Sequence, residues 1–509
     1  MIVAVMRPSN HRRAPAVRIT KMRRLLLPAL AAAAACSPLR PVEFPKPATS
    51  ITGTTLTRAD ALADLDFLMR TLEHVHPDLY AVQTRDSAAA MRARIVAALP
   101  EKLDRVDWWT RLAPLVASFG DGHTNVWYPV DEVNRQLNAG SRIFPPSVAR
   151  DDDGHLVVTN PFTTAKVARG DRITSINGHP ADSLLRAWMS EISGESDIYR
   201  GTTATDAFRD LLVVHHVAAP FSLDVVGANG TPQTVMIAGV TRDTMMAIFN
   251  RNRAGTPAPS ALSNRNFVYR ALDGHVGYMN FRSMGNAGQF SANLDAMFRQ
   301  LAADSARALI VDLRANGGGD SRLGDELLSH ITTTPYRMAS RKDWKMSAEY
   351  RAFMMNQVKA PLRWLPLQHI VPAGRRMFSG PAGKIVTFEE KVHAPARAEP
   401  FFSGPVCVLI GSRTFSSASD LADGIATYHL ATLIGEETGG RANSFGEVYP
   451  FLLPHSQFLI STSSARFVRA NGDTTMRGGV MPDIVVQTSA EDRKAGRDPA
   501  MERARNCGR

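Results

Sequence analysis

The chain has 509 residues, 44% hydrophobic and 21% charged. This composition excludes a disordered or collagen-like protein and leaves room for roughly two to four domains. The formal charge of +11 points at first to nucleic acid, but seven basic residues and no acid stand in residues 1–35, and without them the balance is +4, which leaves no electrostatic case for such a partner.

The N-terminus reads as an export signal. "KMRRLLLPALAAAAAC" has a basic start, an apolar stretch and small residues before Cys36. The apolar stretch is shorter than the roughly 20 residues that span a bilayer. Met22 serves as a start as well as Met1 does. Cys36 follows three alanines and resembles the lipidated cysteine of a bacterial lipoprotein box, although Ala33 stands where that box usually has Leu. Residues 1–36 are therefore expected to be a signal peptide with lipidation on Cys36, simple cleavage after an Ala-x-Ala site being the alternative. The protein would be periplasmic or anchored to the outer membrane of a Gram-negative bacterium by lipid alone. Residues 37–56 read as a Pro-rich tether. Of the other two cysteines, Cys407 lies in an apolar strand and reads as a buried thiol. Cys507 falls in the charged tail 491–509, where little order is expected. Three cysteines make neither a disulfide framework nor a zinc site.

Residues 57–77 carry leucines at helical spacing, with Thr57 as N-cap and Asp60 three residues on. "RDSAAAMRARIVAALP" and "DRVDWWTRLAPLVASF" read as two more helices, giving an N-terminal helical domain over 57–139. Residues 140–243 turn β-rich, with a hairpin expected at Asn229–Gly230. "RGDRITSINGHPADSLLRAWM" resembles the closing part of a PDZ domain, followed by a long insertion around 190–212. The "GLGF" loop of that fold is absent. From 265 to 490 strands and helices alternate, with residues 335–400 read as an insertion or lid.

Three stretches could carry chemistry. "GSRTFSSASD" (411–420) follows an apolar strand and leads into a helix. A serine there is exposed at the end of a rigid element beside free backbone N–H groups, or else Ser416, Ser417 and Ser419 merely cap the helix. "DLRANGGG" (312–319) lets backbone N–H groups approach a ligand, or is a tight turn; no Lys-Ser/Thr follows, so it is no phosphate loop. "GDGHTN" places His123 on a loop end. His74, His76 and Asp78 have metal-ligand chemistry but no accompanying ligand cluster, so no metal is assigned.

Together "DGHT", "INGHPA", "VDLRANGGGD", "GSRTFSSASD", "IGEETGGRANSFG" and "GGVMPDIVV" resemble, in order, serine peptidases of the C-terminal-processing (tail-specific) and tricorn-core type, a fold shared with interphotoreceptor retinoid-binding protein modules. The resemblance spans roughly residues 57–490. It implies an α/β protein with a ClpP/crotonase-like catalytic core, an N-terminal helical domain and a β-rich PDZ-like domain. It implies Ser416 as nucleophile and the Ser417 amide as one oxyanion donor. The other donor falls on Gly318, with Gly319 next. The lysine base of the tail-specific branch maps to Arg441, which stays protonated and cannot act as a base. The tricorn-like branch puts a histidine at His123, which becomes the general base. That branch's serine before the histidine and its later glutamate map to Gly122 and Met476. The residue orienting His123 is therefore sought elsewhere, at Glu447 or Asp473. The expected activity is hydrolysis of peptide or protein substrates through an acyl-enzyme, without cofactor or metal. The alternative is an inactive homologue that binds peptides or apolar ligands, with Trp344, Met346, Met354, Met355 and Trp364 of the 335–400 stretch lining a groove. The oligomeric state is not legible.

Overall fold

The computed structural model describes residues 42–162, 166–227, 229–254, 266–358 and 372–507. The signal segment, Cys36 and Trp364 lie outside them. Among the described residues no helix is long and apolar enough to cross a membrane.

The chain opens with strand β1 (Thr55–Thr57), then helices α1 (Arg58–Val75) and α2 (Arg85–Ala97), strand β2 (Lys102–Asp104) and helix α3 (Arg105–Ala117). Thr57 and Asp60 form a reciprocal capping box that starts α1, as the sequence predicts. Leu65, Leu68 and Leu72 of α1 pack against Trp108, Leu112 and Leu115 of α3 in one buried cluster. A two-residue strand, β3 (Asn125–Val126), and helix α4 (Val130–Asn138) close this part.

The β-rich part comprises β4 (Ser147–Arg150), β5 (Leu156–Asn160), β6 (Arg172–Ile176), β7 (His179–Pro180), β8 (Phe221–Val226) and β9 (Pro232–Ile237). They form an antiparallel sheet in the order β4-β5-β6-β8-β9, with β7 on β6. The β8–β9 pairing is the hairpin expected around Asn229–Gly230. Between β7 and β8 run helices α5 (Ala181–Met189), α6 (Asp197–Asp206) and α7 (Phe208–Val214); the last two occupy the stretch read as an insertion. Helix α8 (Arg242–Ala254) follows.

The third part is α/β. Strands β10 (Phe267–Leu272), β11 (Val276–Phe281) and β12 (Ala308–Asp312) alternate with helices α9 (Ala287–Ala303) and α10 (Arg322–Ser329). After strand β13 (Ala339–Met346), helices α11 (Ala348–Gln357) and α12 (Pro372–Phe378) and strand β14 (Lys384–Glu389) come β15 (Val406–Ile410), helix α13 (Ser417–Tyr428) and β16 (Thr432–Gly435). Strands β17 (Ser444–Leu452), β18 (Leu459–Arg469) and β19 (Ile484–Val485) and helices α14 (Ala490–Ala495) and α15 (Pro499–Ala504) complete the chain. One sheet has the order β10-β11-β12-β15-β16-β19, parallel except for the antiparallel β10–β11 pair. Residues of β12 and β15 are buried throughout, the mark of strands covered on both faces.

A second sheet, β14-β13-β18-β17, is antiparallel. Its first two strands come from the 335–400 stretch. That stretch is thus built into the sheet rather than standing apart as a lid. Strand β13 has polar residues through its half-buried middle, which hides the alternation that would reveal a strand. Met346 and Met354 pack with Tyr350 and Val386 in a small core, with Trp344 against it.

The tail differs from expectation. Cys407 of β15 and Cys507 are joined by a disulfide across a sequence separation of 100. Cys407 is therefore no free thiol, and the tail carries two short helices within its described residues, up to 507. Ala500, Ala504 and Cys507 are small enough to seat against Leu409 and Ile434 of the sheet, and Arg314 holds Asp498 through two hydrogen bonds of 2.8 and 2.9 Å.

Candidate active site

Strand β15 ends in Gly411, and the chain turns sharply before α13. Thr414 ties this corner down: its Oγ1 donates to Leu313 O at 2.9 Å and accepts from Gly411 N at 3.1 Å. Ser416 then sits at φ 54°, ψ −132°, a left-handed-side conformation unusual for a residue with a side chain. Such strain clusters where a side chain must be aimed. The three serines of the corner divide their work. Ser417 Oγ donates to Gly319 O at 2.8 Å, and Ser419 Oγ donates to Thr414 O at 2.9 Å. Ser416, at the N-cap position, makes no side-chain cap. Its Oγ lies 3.0 Å from His123 Nε2, although 293 residues separate the two.

Strand β18 delivers His123 to that position. The strand β3, just after His123, pairs with β18 at Ile460 and Ser461, and Ser461 Oγ donates to His123 O at 2.9 Å. At its far end β18 holds the serine helix: Ala470 N donates to Asp423 Oδ2 of α13 at 2.7 Å, and Arg469 pairs with Asp423 Oδ1 at 2.6 Å. One strand therefore sets both reacting groups. The His123 ring also stacks on Phe415, centroids 4.8 Å apart, and Phe415 on Tyr199 of α6 at 4.5 Å. Gly122 is required here, because a Cβ would lie 2.6 Å from Phe415 Cζ. The serine that the tricorn-like pattern places before the histidine has no room beside this ring.

The expected orienting residues are elsewhere. Glu447 faces Lys342 and Tyr350, and Asp473 is half-buried, capping its own turn through Thr475. Arg441 and Met476 stand in the slots mapped to them, and Met476 contacts Arg469. The carboxylate beside His123 is Asp121, two residues before it and fully buried. Its Oδ1 accepts the His123 backbone N–H at 2.9 Å and lies 3.6 Å from His123 Nδ1. Its Oδ2 accepts from His76 Nε2 (3.2 Å), Thr124 Oγ1 (2.6 Å) and Ser463 Oγ (2.7 Å). Burial works against this charge, yet hydrogen bonding and charge from His123 and His76 hold the carboxyl well below the usual carboxylate range. Burial likewise disfavours the His123 imidazolium, but Asp121, with the charges of Glu195 and Asp420, raises its pKa above the ordinary imidazole value. His76, singled out in the sequence for its metal-ligand chemistry, thus belongs to the network around the candidate base. The signal for Asp121 was present in "GDGHT"; the sequence pattern drew attention to the histidine alone.

Glu195, from the loop before α6, is the second carboxylate that sequence reasoning missed. It is buried, and its Oε2 accepts the Arg441 backbone N–H at 2.6 Å. Asp121, His123 and Glu195 each offer a ligand atom within 4.8 Å of one another. A metal could in principle sit there, but the four donors already on Asp121 suit a proton-carrying network better.

The glycine turn faces the same corner. Gly318 was the expected oxyanion donor, but its N–H turns into the loop and donates to Asn316 Oδ1 at 2.9 Å. Gly319 bridges Met284 through Gly318 O and Asp320 N, so its own N–H is not used in that bridge. Its carbonyl side meets Ser417 Oγ, and among the described residues neither the Gly319 nor the Ser417 N–H has an acceptor. A Cβ on Gly318 would lie 2.7 Å from Ser416 Cβ and 2.9 Å from Ser417 N, so only glycine leaves space beside the serine.

This constellation lies on a chain whose residues 275–486 match the model of peptidase family S41. That stretch is a peptidase family S41 domain. It holds Ser416, Ser417 and the glycine turn, while His123, Asp121 and Glu195 all lie before its first residue, 275. The fold of the peptidase is similar to that of mature CPAF, with TM-score 0.60, 16% identity, and coverage of 86% of this chain and 95% of that one. It is also similar to mature CPAF complexed with lactacystin, at TM-score 0.61, 17% identity and the same coverage. The photosystem II D1 C-terminal processing protease matches at TM-score 0.41 and 14% identity over 85% of this chain and 95% of its own. The α/β core with its helical and β-rich additions thus shares its fold with mature CPAF, and the family matched by residues 275–486 is one of peptidases, whose substrates are peptides or proteins.

Proposed function

We propose that this chain is an exported serine peptidase acting through Ser416 and His123. The observation that carries the reading is the 3.0 Å contact of Ser416 Oγ with His123 Nε2. As Ser416 Oγ bonds to the peptide carbonyl carbon, its proton passes to His123 Nε2. The carbonyl oxygen becomes an oxyanion, for which the N–H groups of Ser417 and Gly319, without acceptors among the described residues, are the donors in this reading. The C–N bond then breaks and the His123 proton leaves with the amine. Water attacks the acyl ester, giving one proton to His123, which returns it to Ser416. Asp121 fixes the backbone of the base and favours its charged form. Arg441 takes no part as a base; its backbone N–H holds Glu195.

Export, with lipidation on Cys36 as part of the same proposal, is supported by the Cys407–Cys507 disulfide, which suits an oxidising compartment, and by the signal-like N-terminus. The test is labelling of mature protein by a fluorophosphonate, which phosphorylates an activated serine. Wild type should label, and Ser416→Ala and His123→Ala should lose labelling by about a thousandfold or more. Labelling that survives in Ser416→Ala would overturn the choice of nucleophile. A folded wild type that does not label would favour a module binding peptides or apolar ligands on the same fold.

A further inference from the structure

The loop and helix of residues 193–206 leave the β-rich sheet and are built onto the serine corner. Tyr199 stacks on Phe415, Ser196 Oγ donates to Gly439 O at 3.3 Å, and Arg413 grips Asp206 through Nε at 2.7 Å and Nη2 at 2.5 Å. Glu195 is the buried carboxylate of this strap, 5% exposed. One carboxylate oxygen is held by the Arg441 N–H; the other, Oε1, is buried without a partner. A buried acceptor left unmade costs about 1–3 kcal/mol, and such groups persist where they serve a function. Among the described residues His123 Nδ1 is also buried without a hydrogen-bond partner. Asp121 cannot supply it at the present geometry, because Oδ1 is 3.6 Å away and bound to the His123 N–H, while Oδ2 already has three donors. Among the described residues these are two unmatched buried atoms, one donor-capable and one an acceptor, on residues that with Asp121 each bring a ligand atom within 4.8 Å of the others.

Resting on the Ser416–His123 reading, we propose that Glu195 is the positioning residue of the His123 ring, accepting the Nδ1–H bond in Oε1 when Nε2 takes up the Ser416 proton. No proton leaves Nδ1 in this step; the carboxylate orients the ring and stabilises the imidazolium. The role would then lie not with Glu447 but with a residue from the β-rich part, so that seating of the strap and competence of the base are one event. The groups facing Glu195 are Asp121 and His123 of the histidine loop, Arg441 after β16 and Tyr199 of α6. Burial, then the charge of Asp121, pushes Glu195 up to about 7, so its acceptor form is gained as pH rises through neutrality.

The experiment compares wild type, Glu195→Gln and Glu195→Asp for fluorophosphonate labelling rate from about pH 5 to 9, and follows the His123 titration by NMR in a Ser416→Ala background with and without Glu195→Gln. Gln keeps an oxygen for the Arg441 N–H, and thermal unfolding reports whether each variant folds; Asp covers the case in which Gln does not. The expected result is labelling about tenfold or more slower in Glu195→Gln, partial recovery in Glu195→Asp, and a His123 titration that moves to lower pH when the carboxylate is removed. An unchanged rate together with an unmoved His123 titration overturns the proposal. A wild type that labels while the His123 titration ignores Glu195 refutes the positioning role and leaves the hydrolase reading standing. A wild type that does not label, with a His123 titration that follows Glu195, refutes the hydrolase reading and leaves the coupling standing.

Discussion

Gly122 shows how one residue limits the base. Substitution by Ser, which matches the tricorn-like pattern, should not improve the site. Its Cβ would meet Phe415 at 2.6 Å, and the ring can yield only by leaving His123 or Tyr199. Overpacking of this kind costs about 1–3 kcal/mol, so Gly122→Ser should lower the melting temperature and slow fluorophosphonate labelling, with Phe415→Leu in the same chain restoring part of both. The pH profile belongs to this scale too. The base works neutral, and its pKa is raised, so labelling should increase with pH along a limb centred above the ordinary imidazole value. Asp121→Asn should move that limb to lower pH, because it removes the charge that favours the imidazolium; a limb that stays in place would mean another group governs it.

At the scale of elements, the docking of the helical part on the β17–β18 connection determines where His123 ends up. Asp64 of α1 accepts the His455 and Ser456 backbone N–H groups, both at 2.9 Å. Arg105, at the start of α3, donates to Ser456 O at 3.0 Å and pairs with Glu132 of α4 at 3.0 Å, both side chains 2% exposed. Arg105→Ala leaves the buried Glu132 with Arg135 and the Gly53 N–H as remaining partners, so it should cost about 3 kcal/mol or somewhat less in urea unfolding, and Arg105→Ala with Arg135→Ala in the same chain should cost more. Helix starts of this kind were legible: Thr57 with Asp60 is a capping signature that local chemistry decides. The strands β13 and β14 were not, because their burial is set by β18, more than a hundred residues later in the chain than β13.

Across the whole molecule, the C-terminus is stitched back to the central sheet. The Cys407–Cys507 bond closes a loop with a sequence separation of 100. Loops of that size are stabilised by about 2–5 kcal/mol on cross-linking. Cys507→Ser, or reduction of the wild type, should lower stability by this order and free α15 first, seen as faster amide exchange over residues 499–507 while the strands of the sheet remain protected. Equal exchange in the two forms would assign the tail's order to Arg314 and Asp498 alone.

Sequence by itself determined the parts whose chemistry is local: the export-like leader, the capped first helix, the strand–turn–helix corner holding Ser416, the glycine turn, and the order of motifs that points to this peptidase architecture. It also excluded Arg441 as a base, since a guanidinium does not release its proton. Tertiary structure alone decided which groups meet. Asp121 stands two residues before His123 in the sequence, but Glu195 is an unremarkable acid there and becomes a carboxylate near His123 only when the strap reaches the corner. The Gly318 amide was committed to Asn316 by a loop geometry that three consecutive glycines do not specify. Two cysteines a hundred residues apart could not be paired until a helix brought them together. Spacing along a chain encodes periodicity and caps, but contacts between distant segments depend on packing of the entire core.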